Sequence, residues 1–204
     1  MTYYGCLRPI FLLLAFQAVT HSQPLVREVF VSIAQGHLFR IEDNPLGSGP
    51  NLGAGIGLRH RSGLGFAVEL NRTLGLSAEI VPCGIANVPC EGSAREGVTG
   101  ATIVSVNISY EFTHARVRPY LTGGMGALWS KGFSPVLYAS EQRAIFSEGR
   151  WNDTGLAVSF GGGLRIGLTR WLSLRPELRV YNATAFSRAN LSLFRPSLAL
   201  AWSW

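Results

Sequence analysis

Leu198-Ala199-Leu200-Ala201-Trp202-Ser203-Trp204 alternates without a break. Successive side chains of an extended strand point to opposite faces. Leu198, Leu200, Trp202 and Trp204 therefore share one face, and alanine and serine hold the other. Bulky apolar groups outward, small groups inward and aromatics at the rim match a strand whose outer side meets lipid.

The same period of two runs back along the chain. Leu52, Ala54, Ile56 and Leu58 oppose Gly53, Gly55, Gly57 and Arg59. Leu64, Phe66, Val68 and Leu70 oppose Gly65, Ala67, Glu69 and Asn71. Val104, Val106, Ile108, Tyr110 and Phe112 oppose Ser105, Asn107, Ser109 and Glu111. Segments 117–129, 156–167 and 172–181 repeat the scheme. With 27–39 at the start and 195–204 at the end, the sequence predicts eight strands. The first is the least regular, because Phe30 and Leu38 fall on its small-residue face.

The connections alternate in length. Strands 2–3, 4–5 and 6–7 are predicted to join through about three or four residues, around Arg61–Gly63, Thr113–Arg116 and Thr169–Trp171. Longer polar stretches near 41–50, 72–101, 130–154 and 182–194 join the others. Tight turns on one side and long loops on the other are the habit of outer-membrane barrels.

The inner face decides between lipid and water outside. Glycine, alanine and serine with scattered Arg and Glu make too small and too lightly charged a surface for solvent, but they suit a narrow lumen. An eight-stranded barrel leaves room for side chains and little else. The fold expected is all-β, an eight-stranded antiparallel up-and-down transmembrane β-barrel. The chain is 204 residues long, with 15% charged residues and 24 glycines. Beyond residue 22 it holds no apolar run of the roughly 18 residues that a spanning helix needs.

Arg118-Pro119-Tyr120-Leu121-Thr122-Gly123-Gly124-Met125-Gly126 and Leu174-Arg175-Pro176-Glu177-Leu178-Arg179 resemble strand motifs of the small OmpA/OmpX-type outer-membrane β-barrel proteins. The likeness covers residues 25–204. It implies that Leu200, Trp202 and Trp204 form the C-terminal assembly signal read by the outer-membrane insertion machinery.

Residues 1–22 read as a cleaved signal peptide, leaving 23–204 as the barrel domain. Arg8 gives the positive start, Ile10 to Val19 the apolar core, and Thr20-His21-Ser22 the small residues before cleavage. The alternative is an N-terminal membrane anchor. Export takes the chain into an oxidising compartment, so Cys83 and Cys90 read as a disulfide. A metal site is the weaker reading, since no His or further Cys lies nearby to complete four ligands. The net charge of +6 comes almost wholly from dispersed arginines, with no basic run to follow a phosphate backbone. Nucleic acid is therefore not an expected partner; outer-membrane lipid is.

Candidate chemistry sits on the inner face, at Glu69, Glu111, Arg118, Arg165, Arg175, Glu177 and Arg179, with Arg59 and Arg195 beside them. Pairing across the Thr113–Arg116 turn is expected to set Glu111 directly opposite Arg118. These charges make either a plug of ion pairs or a filter for small solutes. If a path exists, the arginine excess favours anions. His60-Arg61-Ser62 has the His-x-Ser spacing of the lipid A deacylase barrels. Gly63 follows where that family carries Asn, so a chance match is expected. His37 and His114 stand alone, and Gly161-Gly162-Gly163 precedes no helix that would make a phosphate cradle.

The stretch 130–154 carries Phe133, Val136, Leu137, Tyr138, Ile145, Phe146 and Trp151, too apolar for a solvated loop. It folds over the barrel mouth, extends the wall beyond the membrane, or contacts a partner. The expectation is a monomeric, non-enzymatic outer-membrane barrel without cofactor or metal, serving envelope integrity or surface interaction. A narrow passive pore is the alternative, and a lipid A-modifying hydrolase a more distant one.

Overall fold

The computed structural model describes residues 25–40, 45–74, 79–82, 90–91, 93–113, 115–140, 143–185 and 191–204. The expected signal peptide and Cys83 lie outside these residues, as does His114. Ten strands follow in order: β1 (Val26–Arg40), β2 (Pro45–Arg59), β3 (Leu64–Leu74), β4 (Glu79–Pro82), β5 (Cys90–Glu91), β6 (Ser93–Glu111), β7 (Val117–Ser140), β8 (Arg143–Gly167), β9 (Leu172–Ala185) and β10 (Leu191–Ser203).

Eight of them form the barrel wall, each antiparallel to its neighbours. β3 pairs with β6, and β1 pairs with β10, so the ring closes. The seam runs from Glu28↔Ser203 to Arg40↔Leu191. Arg27 and Trp204 exchange both backbone hydrogen bonds beneath it, at 3.1 and 3.0 Å. Among the described residues, closure leaves each of the eight wall strands paired on both sides, in a medium that offers no hydrogen-bond partner.

The faces divide as the alternation requires. In β3, exposed and buried residues alternate almost throughout, with Glu69, Asn71 and Thr73 inward. Outward, Ile56, Met125, Phe160 and Leu178 are each more than half exposed. An apolar belt this continuous would make a water-soluble monomer aggregate, whereas acyl chains solvate it. Tyr110, Phe112, Trp171, Trp202 and Trp204 rim the short-turn end, and Trp129 lies toward the other. Aromatics at both interfaces are the expected girdles.

Several strands run further than their sequence pattern suggests. The described residues of 72–101 and 130–154 are strand. β7 and β8 pair continuously from Val117↔Ile166 to Ser140↔Arg143. β4 pairs with the start of β6, and Cys90–Glu91 pairs in parallel with Ala144 and Ile145 of β8. Of the three readings of 130–154, wall extension describes its backbone. Gly132 and Pro135 look like turn residues, yet neither breaks the ladder. Similarly, β2 begins at Pro45, while β9 and β10 reach to Ala185 and back to Leu191.

The turn after β6 also differs from expectation. Glu111 pairs with Tyr120, not Arg118. The turn is centred one residue later, with Arg118 Nε donating to the Ala115 carbonyl at 2.9 Å and Phe112 N to the Pro119 carbonyl at 3.0 Å.

The β2–β3 turn is built on Gly63, at φ 92°. Its N–H donates to the His60 carbonyl at 3.1 Å, and its carbonyl accepts from Glu111 N at 2.9 Å. A Cβ there would stand 2.3 Å from the Glu111 carbonyl oxygen. Left-handed backbone and this close approach both demand glycine. Gly63→Ala is expected to destabilise the folded barrel by about 1–3 kcal/mol. The measurement is the urea unfolding midpoint in lipid vesicles; an unchanged midpoint would contradict this account of the turn.

Candidate functional site

Because inward positions recur every second residue, the eight walls deliver side chains to a common axis. Their charges form one network. Toward the short-turn end, Glu28 of β1 and Glu111 of β6 serve four arginines. Arg165 Nε lies 2.6 Å from Glu111, and its Nη1 and Nη2 both engage Glu28. Arg175 Nη1 reaches Glu28 at 2.8 Å. Arg59 and Arg118 reach Glu111 at 2.9 and 3.3 Å. Arg118 thus meets Glu111 diagonally, despite the shifted register.

Higher in the lumen, Glu69 and Glu177 face Arg179 and Arg195. Arg179 lies 2.7 Å from Glu69 and 2.8 Å from Glu177. Arg195 lies 3.4 Å from Glu177 and 3.9 Å from Glu69, and it donates to Asn71 Oδ1. Tyr120 joins the two halves. Its hydroxyl donates to Glu177 at 2.8 Å and accepts from Arg175 at 3.5 Å.

The arginines are also stacked. Arg175 lies 4.9 Å from the Phe30 ring centre and 5.1 Å from that of Tyr120. Both distances suit cation–π attraction. Gly55 makes this possible, because a Cβ there would stand 2.4 Å from the Phe30 ring. Tyr181 lies 5.8 Å from Arg179 and 5.6 Å from Arg195.

Above Tyr181 the interior changes character. Val98, Ala101, Ile103, Leu128, Ala157, Ala183 and Leu193 pack into a buried apolar cluster, with Trp151 against it. The space left among them is about 10 Å³, at the lower limit of the ~10–15 Å³ that one water needs. The lumen is therefore ionic below and apolar above.

The structure brings Glu69, Glu111, Arg118, Arg165, Arg175, Glu177 and Arg179 into one connected set. Glu28, at its centre, is an inward charge that the alternation does not mark, because it shares parity with Phe30 on the irregular first strand. The apolar upper lumen likewise differs from the small and charged inner face that the sequence predicts. Ile103 and Leu128 sit beside outward apolar neighbours, so alternation in polarity vanishes there.

Leu200, Trp202 and Trp204 are exposed on the outer side of β10. Cys90 opens β5, but the expected bridge to Cys83 falls outside the described residues. His37 lies 6.5 Å from the Phe194 ring. His60 and Ser62 do touch: Nδ1 and Oγ are 2.9 Å apart, and the same nitrogen accepts from Ser62 N at 3.2 Å. That contact is a local feature of an exposed short turn.

No family model matches the chain, and no curated protein matches it in sequence. Its shape resembles that of Neisserial surface protein A, at 14% identity and TM-score 0.61, over 87% of this chain and 97% of that one. It also resembles Ail, the attachment invasion locus protein of Yersinia pestis, solved in complex with the heparin analogue sucrose octasulfate. There the identity is 12% and the TM-score 0.51, over 88% of this chain and 99% of that one. The likeness is one of fold: that of the small OmpA/OmpX-type barrels of the outer membrane, as the strand motifs lead one to expect.

Removing one member of a buried ion network strands its partners. Arg179→Met leaves Glu69 without its shortest ion pair and Glu177 with weaker ones, and is expected to cost about 3–5 kcal/mol. Arg170→Ala, on an exposed turn, is expected to cost less than about 0.5 kcal/mol. Equilibrium urea unfolding of both variants checks the contrast. Equal stabilities would contradict the plug.

Proposed function

We propose that this chain is an integral outer-membrane barrel, closed to solutes and non-enzymatic, whose work is surface contact through the β7–β8 hairpin. The carrying observation is the length of that hairpin. β7 and β8 span 24 and 25 residues, whereas a tilted strand crosses a bilayer in about 9–11. Eleven cross-strand pairs, Ser130↔Asp153 to Ser140↔Arg143, follow the Trp129 interface position. At ~3.3 Å per residue they add about 36 Å of ribbon along the strand.

The composition of that ribbon supports contact over simple display. Leu137 pairs with Phe146 and Tyr138 with Ile145 in backbone register. Beyond β6 this ribbon gains, among the described residues, only the two-residue pairing of β5 at Ala144 and Ile145, and so thin a sheet has little core of its own. Ail, which carries attachment and invasion in its name and was solved with a heparin analogue, shares the fold and is compatible with the reading.

The filled lumen speaks against the passive pore, since ion pairs and an apolar cluster occupy successive levels of it. The hydrolase reading has little support. The His60–Ser62 contact lies at the short-turn end, and in outer-membrane barrels that end faces the periplasm.

The test compares the full chain with a variant in which 134–148 is replaced by Asn-Gly. Both are expected to fold, judged by a heat-dependent shift on gels, and neither is expected to conduct in planar bilayers. Expression of the full chain should raise adherence of a non-adherent bacterial host to epithelial monolayers severalfold, and the trimmed chain should not. Steady single-channel currents, or adherence indifferent to trimming, would overturn the reading.

A further inference from the structure

The lumen network is unbalanced, and the imbalance is confined to one end. Among its members, Glu69 and Glu177 are matched by Arg179 and Arg195. At the short-turn end, Glu28 and Glu111 must serve Arg59, Arg118, Arg165 and Arg175. Each arginine touches a carboxylate, and Arg175 also lies 3.8 Å from Glu177, but four positive charges share two carboxylates at this end. Uncompensated charge in a low-dielectric interior is costly and is usually relieved by a counter-ion.

A cavity of about 250 Å³ opens at this end, with Arg59, Arg118, Arg165, Arg170, Ser173 and Ser203 in its lining. No acidic side chain lines it among the described residues. That is far above the ~10–15 Å³ that one water needs, enough for a tetrahedral oxyanion and some hydration. Arg118 and Arg59 keep 27% and 16% of their side-chain surface accessible, against 7% for Arg165. Arg59 Nε is buried without a hydrogen-bond partner. Trp204 lines the same rim, and its carbonyl oxygen accepts from Arg27 N.

We propose that this periplasmic mouth is a binding site for a phosphate-class oxyanion. The guanidinium fork is matched to phosphate oxygens and gives charge-assisted hydrogen bonds to them. Ser173 Oγ accepts from Arg165 at 3.1 Å, so its O–H can rotate toward the anion. The anion supplies negative charge that the protein's own carboxylates do not. It arrives either as free phosphate from the periplasm or as a phosphate headgroup from the inner leaflet, since Trp171 and Trp204 set the rim at headgroup depth.

The test is titration calorimetry on the detergent-folded full chain, with two probes: inorganic phosphate and dihexanoyl phosphatidic acid. Saturable one-to-one binding is expected, weakened about tenfold by Arg118→Ala and unchanged by Arg72→Ala near the opposite end. Binding of phosphate alone assigns the site to a solute, binding of the lipid alone to a headgroup, and binding of both to either source. If Arg118→Ala loses its heat-dependent gel shift, Arg170→Ala on the exposed turn decides instead, with the same expected direction. Failure of both probes to saturate, or affinities indifferent to Arg118 and Arg170, would overturn the proposal.

Discussion

Acyl chains accept no hydrogen bonds, and this constraint shapes the molecule. Every peptide group that crosses the bilayer must find its partner within the chain. The β1–β10 seam is where that requirement is met, since it joins the two ends of the strand order. Once the wall is closed, parity fixes the rest. Each residue faces either lipid or a lumen of set diameter, and eight strands make that lumen narrow. Glycine and serine then line much of the wall, so that a few large side chains can fill the axis.

The filling follows a vertical order. Arginines and glutamates hold the short-turn half, Tyr120 and Tyr181 carry the transitions, and an apolar cluster holds the upper half. Buried ion pairs are a weak source of net stability, because desolvation offsets much of their attraction. They are also intolerant of losing a member, and the upper part of the ionic network alone ties four strands together: Glu69 and Asn71 of β3, Tyr120 of β7, Glu177 and Arg179 of β9 and Arg195 of β10. Shape and charge therefore specify one register around the barrel.

Much of this could be read from residue order. The lipid face was legible because Ile56, Phe66, Val106 and Leu178 alternate with small or charged partners. The lumen charges were legible for the same reason, as each lies two residues from another inward position. Three features resisted. Glu28 was obscured because Phe30 and Leu38 break the pattern of its strand. The apolar upper lumen was hidden because Ile103 adjoins outward Val104 and Leu128 adjoins outward Trp129, so polarity no longer marks the faces. The β7–β8 extension read as loop because Gly132 and Pro135 are turn formers by local chemistry, while long-range pairing with Trp151 and Glu148 overrides them. The Glu111–Arg118 contact is real but diagonal, since turn length fixes register and a one-residue shift of the centre moves the partner by two.

Orientation of the two faces is the claim on which the rest stands. Phe66, Val106 and Leu178, at 42%, 41% and 57% exposure, point away from the axis. Each can be replaced by a cysteine carrying a fluorophore, in a background lacking Cys83 and Cys90, and the barrel reconstituted into vesicles. The account predicts strong quenching by quenchers attached to acyl chains and little by iodide in the water. Quenching by iodide alone at these three positions would show that water wets the apolar face, and would contradict the barrel as a membrane-spanning structure.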